Sequence, residues 1–290
     1  MKRLDSTEII FKILSYVLVT LFALATLYPL IFTLSAAISS QDAMVGGSVV
    51  LLPIGLQFEA VGQFFVNENF VSLFWNAYTN TLFFTFYGTL FSMIITIGAA
   101  YALSKTNLLF KRQINFYIVF TMWFSAGLIP NLLNLQMLGV DNRWGIIYAF
   151  GVAAFNIILL RNYFVGISRE IEEAAIVDGA NEFQVLTNIY IPMSKSAIAT
   201  VTLFYALGRW NGFFWNMRLV GPTEHPMQVV LRLIVQMTTG EEAQIDPTAN
   251  FHLISVSYAA IVLSIIPILA VYPLLQKYMS AGVNTGGVKE

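Results

Sequence analysis

Six stretches of this chain, each long enough to cross a bilayer as a helix, carry mostly apolar side chains. They run over about 11–38, 79–104, 114–138, 144–165, 193–217 and 253–277. A hydrocarbon core needs about 20 helical residues to span it. Only a helix closes its backbone hydrogen bonds within one segment in lipid, and a barrel would show short alternating segments instead. The fifth stretch also holds Arg209, and the sixth holds Pro267 and Pro273. Composition agrees, because 57% of the 290 residues are hydrophobic and only 11% are charged. A soluble domain carries about a quarter charged residues, so this chain has too little polar surface to clothe a globule in water. The expectation is an all-α integral membrane protein with six transmembrane helices, forming one membrane domain over 1–290. The first apolar run is too long for a cleavable signal, so the N-terminal segment MKRLDSTEIIFK is read as leading into a retained span.

Orientation follows from the cations. With the N-terminus inside, the inner side holds Lys2, Arg3, Lys12, Lys105, Lys111, Arg112, Arg161, Arg169, Lys195, Lys277 and Lys289, eleven against the three outside, Arg143, Arg218 and Arg232. Both termini are therefore expected in the cytoplasm, with 39–78 and 219–252 facing out and 166–192 facing in. Several chemistries fall away. The absence of cysteine excludes disulfides and thiolate sites. A net charge of −1 offers no concentrated basic face for nucleic acid. His225 and His252 lie 27 residues apart without ligand spacing, so no metal site is expected. No phosphate-cradling G-x-x-x-x-G-K-[ST] loop occurs, so the chain cannot hold ATP itself.

The inner segment from Ser168 to Pro192, SREIEEAAIVDGANEFQVLTNIYIP, reads as helix, break, helix. Ser168 can cap the first helix, and Glu170, Glu172 and Glu173 suit its positive end. Gly179 suits a left-handed C′ position, and Asn181 with Gln184 three residues on matches a capping box. Phe183, Leu186 and Tyr190 are expected on one helical face. Periodicity alone allows either a connector lying on the membrane or a contact for another protein. The acidic polar face favours protein, since membrane-surface helices usually carry Lys and Arg there.

Glu173-Ala174-Ala175, then Asp178-Gly179-Ala180, then Ile189 and Pro192 resemble the EAA loop of ABC importer permeases. Asn80-Thr81-Leu82, the run Ala99 to Lys105, Leu160-Arg161-Asn162-Tyr163-Phe164, Trp210-Asn211 with Phe213 and Phe214, and the tail from Gln276 to Lys289 resemble its carbohydrate-uptake branch, of maltose type and oligosaccharide group. The resemblance implies a type I importer permease fold whose elbow inserts into an ATPase. In it Glu173 meets that ATPase, Gly179 bends the elbow, and Asp178 bonds at the bend or across the contact. It implies no catalysis and no cofactor in this chain, with ATP and Mg on the ATPase. The implied partners are a second homologous permease, two ATPase subunits, an extracytoplasmic solute-binding protein, membrane lipid and a saccharide, in the cell membrane of a prokaryote. A non-sugar solute, or an ion-coupled secondary transporter, is the alternative. The latter often needs buried carboxylates at mid-membrane, and here the acids sit in loops or near the termini.

Phe204, Arg209, Trp210 and Asn211 are the candidates for a substrate path. Arg209 has two readings: hydrogen bonds to sugar hydroxyls, or a structural role by snorkelling or pairing with a neighbouring helix, the latter being favoured. Trp215 and Arg218 read as an outer interfacial belt. Many relatives of that branch carry an acid after the Trp-Asn pair, where this chain has Gly212.

Overall fold

The computed structural model describes residues 6–239 and 251–286. The expectations for Lys2, Arg3 and Lys289, for the outer segment 240–250, and for the side chains of the tail motif from Gln276 lie outside the described residues. All described regular structure is helical. In chain order it comprises α1 (Ser6–Ala37), α2 (Gln41–Val45), α3 (Glu59–Val66), α4 (Glu68–Ser104), α5 (Lys111–Trp123), α6 (Leu128–Met137), α7 (Arg143–Ala149) and α8 (Ala154–Val165). Then follow α9 (Arg169–Val177), α10 (Glu182–Val185), a π-helical turn (Leu186–Tyr190), α11 (Ile191–Met193), α12 (Lys195–Trp210) and α13 (Phe214–Leu219). A 3₁₀ turn (Pro222–Glu224), α14 (Met227–Thr239) and α15 (Leu253–Gly286) complete the order.

Of the six apolar stretches, the first, second and last are single long helices. At 37 residues α4 is roughly 55 Å long, so its first turns project beyond the hydrocarbon core. The third and fourth stretches are helix pairs, α5 with α6 bent by 116° and α7 with α8 bent by 52°. Hydrophobicity carries on through both breaks, so the expected boundaries missed them. In the first, Gly127 holds φ +86°, outside the helical region. Pro130 would meet the Ala126 carbonyl in a continuous helix, which forces the restart. In the second, a Cβ on Gly151 would lie 2.5 Å from Phe91, so only glycine lets that ring close on the break. The fifth stretch is a 16-residue helix, α12, followed after a short break by α13.

Contacts divide the chain into two compact units, Met1–Phe74 with Leu231–Ile266, and Trp75–Val230 with Pro267–Glu290. In the first unit α1 offers apolar side chains on every side, and none of its most apolar 18-residue window is buried, as suits a helix bathed in lipid. Its C-terminal end is tied by the Ser35 hydroxyl donating to the Leu51 carbonyl at 2.7 Å, and Phe64 packs on Phe70 and Phe74. In the second unit the main core gathers Ala100 from α4, Leu160 and Phe164 from α8, Val185 and Tyr190 from the inner loop, and Val201 and Tyr205 from α12. The inner loop is thus part of this unit's packed interior. At the other end of α4, the Asn80 amide donates to the Thr223 carbonyl at 2.9 Å, and Thr81 Oγ1 accepts from the Met227 amide at 2.7 Å. These two motif residues hold the segment after α13 against α4.

Candidate functional site: the inner elbow and its root

The elbow forms for local reasons. Ser168 caps α9, its hydroxyl accepting from the Glu170 amide at 3.3 Å. At the other end the amides of Asp178, Gly179 and Ala180 return to the carbonyls of Ala174, Ile176 and Ala175 at 2.9–3.0 Å. Gly179 has φ +88°, a conformation that L side chains resist, while a Cβ there would meet nothing within 4 Å. Backbone sign, and not crowding, therefore demands the glycine. Asn181 and Gln184 form the reciprocal capping box, both bonds at 2.9 Å.

The second arm differs from a plain helix. The π-helical turn at Leu186–Tyr190 advances the register, so Val185 and Tyr190, five apart, are the buried pair. Phe183, expected on that face, is 72% exposed. The sequence offers no clear cue for an i→i+5 turn.

The exposed side of the elbow carries Glu173, Ala174, Asp178 and Gly179, with Ala175 and Ala180 half-buried. Val177 beside them is 86% exposed. Acids, small residues and bare apolar side chains lie together, a surface shaped for protein and poor for anionic lipid. Ile189 is half-buried against the core and Pro192 is exposed.

What anchors the elbow escaped sequence reasoning. Lys105, one residue past α4, pairs with Glu172 of α9 and with Glu182 of α10, the latter at 3.1 Å. Tyr101 donates to Glu182, and Tyr190 donates to Glu172 at 2.5 Å. The Lys105 ammonium also lies 4.3 Å from the Tyr101 ring centre. The cation thus binds both arms to one helix end. Burial disfavours its charged form, but the bonds to Glu172, Tyr101 and Glu182 outweigh that and hold its pKa above the usual lysine value. The Tyr101 hydroxyl, aided by Lys105 against some burial, lowers the pKa of Glu182. Burial, with the bond to Glu172, pushes the Tyr190 phenol up to about 12. Lys105 entered the sequence reading as an inner-side cation and the end of a family motif, but its partners lie 67 and 77 residues away.

The four path candidates do not converge. Arg209 Nη2 donates to the Phe150 carbonyl at 2.6 Å and reaches the Ile147 carbonyl at 3.4 Å, both at the end of α7. Gly88 makes room for it, since a Cβ there would lie 2.9 Å from Nε. One turn earlier on α12, Tyr205 Oη accepts from the Ala153 amide at 3.1 Å, at the start of α8, and bonds Thr96 at 2.7 Å. Two residues four apart on one helix therefore satisfy both open ends of the α7–α8 break. That is the packing reading of Arg209. Trp210 is buried with its ring edge-on to Tyr78, whereas Phe204 and Asn211 are exposed. A Cβ on Gly212 would sit 2.7 Å from the side-chain amide nitrogen of Asn216 and 3.1 Å from the Arg209 carbonyl, so a larger residue there would have to displace Asn216. The expected belt residue Arg218 is exposed, while Trp215 packs on Phe150. Among the described residues no group of three or more metal-ligating side chains occurs.

Residues 94–285 match the family described as "Binding-protein-dependent transport system inner membrane component". The chain is 32% identical, over 97% of its length and 98% of the relative's, to the polygalacturonan/rhamnogalacturonan transport system permease protein YtcP of Bacillus subtilis. It is 25% identical to the maltodextrin transport system permease protein MdxG of the same organism, covering 96% of each. A chain in the crystal structure of a bacterial ABC transporter involved in the import of the acidic polysaccharide alginate superposes with TM-score 0.84. The two are 43% identical, over 96% of this chain and 99% of that one.

Proposed function

This chain belongs to the binding-protein-dependent transport system inner membrane components, and from that membership we propose that the elbow at 166–192 is its coupling site. The chain is a non-catalytic permease subunit of an ABC importer in a bacterial inner membrane, working with an ATPase and a solute-binding protein. Its cargo is a saccharide. The finer reading is ours. The whole chain, 1–290, acts as one transmembrane domain paired with a second, homologous permease. Two ATPase subunits bind ATP and Mg on the inner side, where both termini also lie. Closure of the ATPases pushes Glu173, Ala174, Ala175, Asp178, Gly179 and Ala180. Ile189 holds the second arm against the core, and Pro192, exposed, marks where that arm passes into the next span. The observation that carries this is Lys105: by gripping both arms it turns a push on the elbow into a push on the end of α4.

Along the path, Phe204 and Asn211 are the exposed candidates to meet sugar, whereas Arg209 is held by the α7–α8 break and Trp210 is buried beside Tyr78. The first cargo to test is a uronate-bearing oligosaccharide, because both polygalacturonan and alginate are built of uronic acids. The experiment reconstitutes the permease with its ATPase and binding protein in proteoliposomes. Labelled oligogalacturonate, oligoalginate and maltodextrin are then offered with ATP. ATP-dependent uptake of any one of them supports the importer reading, and uptake of a uronate supports the cargo. Recovery of a stable complex that never contains an ATPase chain, under any nucleotide condition, would overturn both.

A further inference from the structure

Within the second unit, α5 and α8 flank an open cleft of about 470 Å³ lined by Lys111, Arg112, Asn115, Val119, Ile158 and Arg161. Among the described residues, none of the ion pairs seen there, Lys105 with Glu172 and Glu182 and Arg143 with Glu224, draws in any of its three cations. Lys111 Nζ instead donates to the carbonyls of Ser104 and Lys105, at 3.2 and 2.6 Å. Arg161 donates to the Leu103 carbonyl and the Asn162 side chain, each at 3.3 Å. The bonds of Lys111 and Arg161 fix the positive groups in place without neutralising them.

The start of α5 adds to the imbalance. It has no side-chain cap and no acid in its first turn, and two cations stand where the helix end is already positive. A bound anion would relieve the mutual repulsion. The adjoining residues point to its source: Leu109 is 79% exposed and Phe110 is 73% exposed, directly before Lys111. Bare apolar side chains beside a cationic cleft fit a lipid, whose phosphate and tails need opposite surroundings side by side.

We propose that this cleft binds an anionic phospholipid, its phosphate among Lys111, Arg112 and Arg161 and its acyl chains along Val119 and Ile158. Free phosphate shares the headgroup chemistry, but it would leave the apolar wall, Leu109 and Phe110 unused. The cleft borders the elbow's root, where Lys111 bonds the Lys105 carbonyl, but it needs no contact with an ATPase and so does not depend on the coupling reading.

The test uses the complete transporter in phosphatidylcholine nanodiscs with or without phosphatidylglycerol. Lipid retained through delipidation is counted by native mass spectrometry, and the unfolding midpoint is followed beside it. The unaltered complex should retain phosphatidylglycerol selectively and unfold later in its presence. Lys111→Gln with Arg112→Gln should weaken that retention about tenfold or more, as expected of two cations near an anionic lipid. Lys111→Arg with Arg112→Lys should restore it, and Lys195→Gln should not change it. No selectivity in the unaltered complex, or the same selectivity in the double glutamine variant, would overturn the proposal. So would equal stabilisation by inorganic phosphate in pure phosphatidylcholine discs, which would assign the cleft to a free anion.

Discussion

Gly179 and Arg209 are the residues on which the local claims can be tried most directly. Because Gly179 is required by its positive φ and not by crowding, the shape of the replacement is secondary to its backbone preference. Gly179→Val should cost about 1–2 kcal/mol at the bend and abolish uptake while leaving membrane insertion intact. Gly179→Asn, which tolerates the left-handed region, should keep most uptake. Equal loss with valine and asparagine would count against the bend as the cause. For Arg209 the contacts are carbonyls at a helix break. Arg209→Met should leave the Phe150 carbonyl short of a donor, at about 1–3 kcal/mol, and lower the unfolding midpoint without raising the sugar KM. A raised KM at unchanged stability would instead return Arg209 to the path. At this scale the sequence was legible wherever the cause was local. Ser168, Gly179 and the Asn181–Gln184 box stand as their spacing required. The site of Arg209 was not legible, because its acceptors lie about 60 residues earlier and are backbone atoms, which no side-chain pattern records.

Between elements, the strongest expectation concerns the root that joins α4 to α9 and α10. Lys105→Met leaves Glu172, whose side chain is only 16% exposed, with the Tyr190 hydroxyl but no counter-ion, and should loosen both arms at once. The complex should then hydrolyse ATP with much reduced uptake, and Lys105→Arg should recover part of the coupling. Uptake and hydrolysis measured on the same proteoliposomes check this. The pH dependence has a definite sign. Glu182 is more acidic when folded, so its contribution holds above the ordinary carboxyl pKa of 4.5 and is lost as the medium falls below it. Tyr190 is raised from 10.0 to about 12, so its contribution is complete below pH 10 and disappears toward 12. Lys105 is also raised, and it fails still later on the alkaline side. A spin label on Val177 should therefore keep constant mobility from about pH 5 to about pH 10 and loosen beyond either limit. A midpoint near neutrality would contradict the assignment. The helix breaks belong to this scale as well. Gly127, Pro130 and Gly151 were visible as letters, but an apolar stretch tolerates such residues in a bilayer when neighbours satisfy the backbone. Apolarity therefore outlined the third and fourth stretches without showing that each is a bent pair.

For the whole molecule, cysteine-free composition makes orientation straightforward to measure. Val66, 81% exposed at the end of α3, and Val177, 86% exposed on the elbow, can each be changed to cysteine in an otherwise cysteine-free chain. A membrane-impermeant maleimide added outside intact cells should label Val66→Cys, and should reach Val177→Cys only after permeabilisation. The reverse pattern would invert the proposed topology. The helical membrane class was readable from hydrophobicity alone, since burial in lipid follows composition. The cargo was not, because a saccharide path needs only a few side chains, and those of the family motif turned out to be divided between interior and surface. The cation at the α7–α8 break also bears on how the protein is made. Ribosomes deliver 143–165 before 195–219, so the residues whose carbonyls accept from Arg209 are already made when it leaves the translocon. A circular permutant that delivers 195–219 first would have to thread an unescorted guanidinium into lipid, at about 2.5–3.5 kcal/mol on insertion scales. Such a chain should stall or fail at biogenesis even though every finished contact could still form, so gene order here doubles as an assembly instruction.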